Sequence, residues 1–157
     1  MKTNKMPTTI VLLAFSWLKF DFTLLTNPAA TPLDSWEKSQ YFYDWSSGYG
    51  LKEITSYLEK IPQDQSVLVA TEGSFGTLPD GLQIYFNESP NVRIQGIGFP
   101  LVKITSAMEQ ALVDGRLVYL VFNQDRIGSY DKNRFELIDQ YPRTSKKSLL
   151  FFKVLPK

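Results

Sequence analysis

The chain contains no cysteine and no histidine. Without thiols there is no disulfide, no thiolate nucleophile and no thiolate metal site. Without imidazole the commonest general base and the commonest metal ligand are missing. A Ser-His-Asp hydrolase, a papain-like protease and a typical zinc enzyme are therefore excluded, which leaves carboxylates, lysine, tyrosine, serine and threonine for any chemistry. No catalytic residue, metal site or cofactor is expected. Long apolar runs are also lacking. The clearest, Ile10 to Leu18, would rise only about 14 Å as a helix, short of the ~20 residues that cross a bilayer.

Charge of one sign is scarce where a polyanion would need it. Lys2, Lys5 and Lys19 precede the first acid, and Arg143 to Lys157 carry five bases without an acid. The middle holds nine bases against sixteen acids. Such a surface repels nucleic acid, so no nucleic-acid partner is expected. A length of 157 residues suits one domain with its own core, and 22 aromatic residues supply material for it.

The N-terminal segment, residues 1–26, has three readings. A secretory signal peptide would explain the two lysines before the apolar run, but Lys19 and Asp21 intrude where cleavage belongs. The end of a membrane helix would explain Trp17 and Lys19, an indole at the interface and an ammonium reaching water. A buried core segment is the third. Residues 27–39, with Pro28 and Pro32, read as an extended linker, and the folded α/β domain spans 40–157.

Within that domain the spacing of Leu51, Ile54, Tyr57, Leu58 and Ile61 predicts a helix, with Ser47 or Gly48 as its cap and Pro62 as its stop. Val67 to Ala70 reads as a strand buried on both faces. Thr77 to Phe86 reads as a helix capped by Thr77, with Asp80 reaching back. A strand at Val92 to Gly96, a helix at Ser106 to Val113 stopped by Asp114-Gly115, and a strand at Leu117 to Phe122 follow. Phe135 to Tyr141 and Leu149 to Leu155 form an antiparallel edge hairpin across the polar stretch Pro142 to Ser148. Together they predict a three-layer, Rossmann-like α/β fold with a mostly parallel sheet and a C-terminal antiparallel hairpin.

Two stretches are candidate ligand sites. In Thr71 to Asp80 (TEGSFGTLPD), Gly73, Ser74, Gly76 and Thr77 lie between a strand and a helix, where backbone amides of α/β proteins meet anions or sugars. No phosphate-loop pattern is completed there, and the alternative is a tight turn capped by Asp80. Glu72 is the one acid placed like a catalytic group; a pair with Asp80 implies no glycosidase geometry, and hydrolysis is not expected. In Tyr41 to Gly50 (YFYDWSSGYG), Trp45 and Tyr49 suit either a sugar ring or a lid packed on the sheet. Asn87-Glu88-Ser89 fits a glycosylation acceptor and reads as a turn.

Leu24-Leu25-Thr26-Asn27-Pro28, Pro32, Gln40-Tyr41, Trp45 to Gly50 with Glu53, and Thr71 to Asp80 occur in an order that resembles the C-terminal region of bacterial membrane glycosyltransferases similar to the dolichyl-phosphate-mannose protein mannosyltransferases. The resemblance covers most of the chain from Phe20 onward. It implies a polyprenyl-phosphate sugar as donor for a parent enzyme whose catalytic acid sits on an early extracytoplasmic loop, with no counterpart here. By that resemblance the chain is an extracytoplasmic accessory domain at the cell membrane, Ile10 to Leu18 is the exit of a spanning helix, and the basic ends face anionic headgroups. The membrane surface or the parent's membrane core is then the partner. A free-standing module that binds a glycan, a sugar phosphate or another small anion is the other reading.

Overall fold

A computed structural model describes residues 8–100, 103–144 and 147–157. Lys2, Lys5 and Lys146 of the basic ends lie outside the described residues. The chain divides into two compact units, residues up to Lys38 and Ser39–Lys157, one residue from the boundary expected at Gln40.

The first unit is dominated by α1 (Thr8–Thr26). It continues through Lys19 and Asp21 and rises about 28 Å at 1.5 Å per residue. Leu12, Phe15, Trp17, Leu18, Phe22 and Leu25 are all exposed. The hydroxyls of Ser16, Thr23 and Thr26 donate to the carbonyls four residues earlier, at 3.0, 2.8 and 2.7 Å, which satisfies them without solvent. Among the described residues no helix is long and apolar enough to cross a membrane. The linker is not simply extended. Pro28–Ala30 makes a 3-10 turn, and Ser35–Lys38 (α2) makes one α-turn. Asp34 builds the latter locally, because its Oδ1 accepts from Trp36 N at 2.8 Å and Glu37 N at 2.9 Å.

The second unit opens with a π-helical turn, Ser39–Tyr43, and then α3 (Leu51–Leu58). Five strands follow, β1 (Val67–Thr71), β2 (Val92–Gly96), β3 (Leu117–Asn123), β4 (Phe135–Thr144) and β5 (Lys147–Val154). Helix α4 (Thr77–Phe86) links β1 to β2, and α5 (Ser106–Val113) links β2 to β3. The sheet order is β2-β1-β3-β5-β4. β1 pairs parallel with both β2 and β3, whereas β5 pairs antiparallel with β3 and β4. The sheet is thus mixed, with two parallel and two antiparallel pairings, rather than mostly parallel.

The reason lies in the strand connections. A parallel pairing needs a crossover, and α4 and α5 supply two of them, but β5 follows β4 directly and must return antiparallel. Since β2 and β3 lie on opposite sides of β1, crossovers of one hand put α4 and α5 on opposite faces. The core accordingly has two halves. Ile54, Leu58 and Leu82 pack with Val67, Val69, Tyr119 and Phe151 on one face, and Met108 and Ala111 pack with Leu68, Leu120, Phe122 and Phe152 on the other. β1 is buried at every position, as its unbroken apolar run requires. The edge strand β4 carries Pro142 and two irregularities of register, between Leu137 and Asp139 and between Pro142 and Thr144; both features discourage pairing with another chain.

Two helix caps differ from the sequence expectation. α3 begins after Gly50, in the left-handed region at φ 93° with no side-chain cap; the buried Ser47 hydroxyl has no partner among the described residues. In α4 the Thr77 hydroxyl donates to the Ser46 carbonyl at 2.6 Å, and the capping acceptor is Asp80, whose Oδ2 takes Gly76 N–H at 2.8 Å. α5 has the expected bounds, and its cap, not foreseen from the sequence, is Thr105, whose Oγ1 accepts Met108 N–H at 3.3 Å. Asn87 and Glu88 form the expected turn.

Gly50 also brings α3 against β4. A Cβ there would lie 2.9 Å from Cβ and Cγ of Tyr141. Gly50→Ala therefore adds left-handed strain to a steric clash, and a loss of about 2–4 kcal/mol in urea denaturation is the expected result.

Candidate functional site

The parallel half of the sheet determines where a site forms. β1 runs between β2 and β3, and the chain leaves it toward one neighbour and returns to the other, which opens a crevice outside the carboxyl ends. Glu72 and Gly73 follow β1, Ile97 and Gly98 follow β2, and Asn123 ends β3. The first two loops touch. Gly73 and Gly98 exchange backbone hydrogen bonds at 3.3 Å each, and a side chain at Gly96 would collide with the Gly73 carbonyl.

Glu72 is 2 % exposed. Its Oε2 accepts Asn123 N–H at 2.9 Å, while Oε1 accepts Asn123 Nδ2 and, at 3.2 Å, Arg126 Nη1. A buried carboxylate demands this much: each oxygen bonded and a counter-charge in contact. Asn123 then passes the connection on, its Oδ1 accepting from Arg143 Nη1.

Arg143, 7 % exposed on β4, gathers the loop that precedes α3. Nη1 also donates to the Asp44 carbonyl at 3.0 Å, and Nη2 donates to the Ser47 and Tyr49 carbonyls at 3.1 and 3.2 Å. Burial pulls its guanidinium below the usual range, against which Glu72, Asp125 and Asp44 hold the charge. Lys147 extends the network to the surface, 3.3 Å from Asp44 Oδ1 and 3.4 Å from Asp125 Oδ2. Arg143 is thus buried within the fold and does not belong to an exposed basic end.

Above this network lies a cleft of about 480 Å³ lined by Trp45, Gly73, Ser74, Phe75, Phe99 and Arg126, with Glu72, Leu78 and Gly98 at its base and sides. The Arg126 guanidinium lies 3.9 Å from the centre of the Phe99 ring and 4.8 Å from that of Trp45, a cation–π arrangement that holds it in place. The aromatic rim faces water.

The candidate residues divide accordingly. Trp45, Glu72, Gly73 and Ser74 line the cleft. Tyr49, Gly76, Thr77 and Asp80 do not: Tyr49 offers its carbonyl to Arg143, and Gly76, Thr77 and Asp80 build the start of α4. Glu72 and Asp80 form no carboxylate pair, since each is bonded to different partners. The lid reading of Tyr41 to Gly50 is also corrected, because Tyr41, Trp45 and Tyr49 remain exposed while Ser47 and Gly50 are buried. Among the described residues no three acidic side chains are grouped to hold a metal ion.

Asn123, Arg126 and Arg143 were not legible as site residues. Asn123 and Arg126 follow the clearest strand in the chain, and their position at its carboxyl end is the one signal that points to them. Arg143 sits in a run of bases, where its burial has no sequence signature.

The Asp44 carboxyl is held below its ordinary value of 3.8, first by the Trp45 N–H it accepts at 2.9 Å and then by Lys147, against partial burial. A carboxyl depressed in the fold stabilises it above the unfolded pKa and loses that contribution as the pH drops through the folded one. The urea midpoint is therefore expected to fall as the pH goes below 3.8, and Asp44→Asn should flatten that part of the profile. An unchanged slope in the variant would contradict the assignment.

No protein-family model, curated protein or solved structure matches this chain.

Proposed function

We propose that the chain is a non-catalytic, extracytoplasmic accessory domain of a bacterial membrane glycosyltransferase similar to the dolichyl-phosphate-mannose protein mannosyltransferases, a three-layer Rossmann-like unit with helices on both faces of its sheet. The observation that carries this reading is the use of Glu72. It is the one acid placed like a catalytic group, and both of its oxygens are committed to Asn123 and Arg126. Glu72 is 2 % exposed and accepts three hydrogen bonds, so little of its carboxylate is within reach of a substrate proton. With no histidine in the chain, no replacement stands beside it. The stretches on which the resemblance rests, Trp45 to Gly50 and Thr71 to Asp80, are joined through the Thr77–Ser46 bond and the Arg143 network, which suits a positioning domain.

Helix α1 supports a place at the membrane. It is apolar around its circumference rather than along one stripe, and the hydroxyls of Ser16, Thr23 and Thr26 are satisfied internally, which suits a helix entering lipid. Trp17 and Lys19 follow one another as at an interface. In this proposal the donor site, the catalytic acid and the spanning helices belong to a parent transferase, and the domain positions an acceptor or stabilises the assembly.

Incubated with a polyprenyl-phosphate-linked sugar and acceptor peptide, the chain is expected to transfer no sugar, and to co-sediment with anionic vesicles. Leu13→Glu with Leu18→Glu should release it into the supernatant. Transfer by the chain alone, or sedimentation indifferent to both substitutions, would contradict the proposal.

A further inference from the structure

The cleft at the carboxyl ends of β1, β2 and β3 has a composition that specifies a ligand. Its acceptors are largely engaged. Glu72 accepts three hydrogen bonds, and the carbonyls of Gly73 and Gly98 each accept the other's amide. Its donors are not. Arg126 gives Nη1 to Glu72, and among the described residues its Nε and Nη2 meet no acceptor; the side chain is 18 % exposed. The guanidinium is already fixed by Glu72 beneath and by Phe99 and Trp45 beside it, so a ligand would not have to order it. A ligand here must therefore bring acceptor oxygens, and an anion suits a guanidinium best.

The loop amides are not the anion site. Gly76 N–H, at the start of α4, is taken by Asp80. The rim settles what carries the anion. Phe75 is 80 % exposed, Phe99 60 % and Trp45 46 %, so a ring laid on these faces buries one side and leaves the other in water. A pyranose matches, with an apolar C–H face for the aromatics and hydroxyls for the solvent, whereas an aromatic acid would trade one exposed ring for another. A volume of about 480 Å³ lies within the range of small-molecule sites.

We propose that this cleft binds an acidic monosaccharide unit, its carboxylate or phosphate on Arg126 and its ring on the exposed aromatic rim. The site would serve an acceptor glycan or a free sugar acid equally, and it stands whether or not the chain belongs to a transferase.

The experiment is a titration followed by amide and arginine side-chain NMR with glucuronate, glucose 1-phosphate and glucose. At least one of the two anions should give saturable shifts at Gly73 to Phe75, Gly98 and Arg126 Nε, and glucose should bind at least about tenfold more weakly, as expected for loss of a charge-assisted pair. Which anion binds more tightly identifies the sugar acid or the sugar phosphate as the source. Phe75→Ala, on a side chain that packs little, should weaken binding about fivefold or more with an unchanged unfolding midpoint. Arg126→Lys, which keeps a charge for Glu72, should weaken it by about tenfold. No saturable shift from either anion in the folded protein, equal binding of glucose, shifts centred on Gly76 and Thr77, or indifference to both substitutions would overturn the proposal.

Discussion

Removing a guanidinium from water costs several kcal/mol, and the cost is met only when its N–H groups find acceptors and its charge a counter-charge. Arg143 meets most of that condition: Nη1 and Nη2 draw in three carbonyls of the loop before α3 and the side chain of Asn123, while its buried Nε has no partner among the described residues. Much of the second unit is arranged around this. Because Ser47 and Tyr49 must present their carbonyls to β4, the loop turns tightly at Gly50 and α3 begins without a side-chain cap. Because Asn123 is shared between Arg143 and Glu72, the end of β3 is tied both to the edge strand and to the loop after β1. One buried cation thus joins the antiparallel half of the sheet to the parallel half at the edge where the cleft lies.

The same network explains what the site offers. A carboxylate at the end of β1, between two returning strands, occupies the place where α/β proteins hold ligands or reactive groups. Here it is used to fix Arg126, and Arg126 is in turn packed against Phe99 and Trp45. The cleft consequently displays donors and aromatic faces rather than a free acid.

The sequence was informative where a residue's environment is dictated by its neighbours along the chain. Val67 to Ala70 and Leu117 to Phe122 are apolar without interruption because both faces of a central strand are covered, and both were recognisable. So were α5, through Ser106 to Val113 and its stop at Asp114-Gly115, and the C-terminal hairpin. It was least informative where a long-range partner decides. Thr77 has the form of a cap, yet the carbonyl of Ser46 takes its hydroxyl. The strands of the hairpin reach into Pro142 to Ser148, since pairing with β5 outweighs local polarity. Of the candidate residues, Trp45, Glu72, Gly73 and Ser74 reach the cleft, while Arg126, Asn123 and Arg143 lie 54, 51 and 20 residues from the groups they bond. Separations of that kind leave no local pattern.

The central claim is that Glu72 and Arg143, which share no direct bond, act as one unit through Asn123. A double-mutant cycle with Glu72→Gln and Arg143→Met, read by urea denaturation, tests it most directly. Arg143→Met alone should cost about 3–5 kcal/mol, the loss typical of breaking a buried ionic network. The two substitutions together should cost less than their sum by about 0.5–3 kcal/mol. Costs that simply add would show that the two halves of the sheet are held together independently, and would contradict the account.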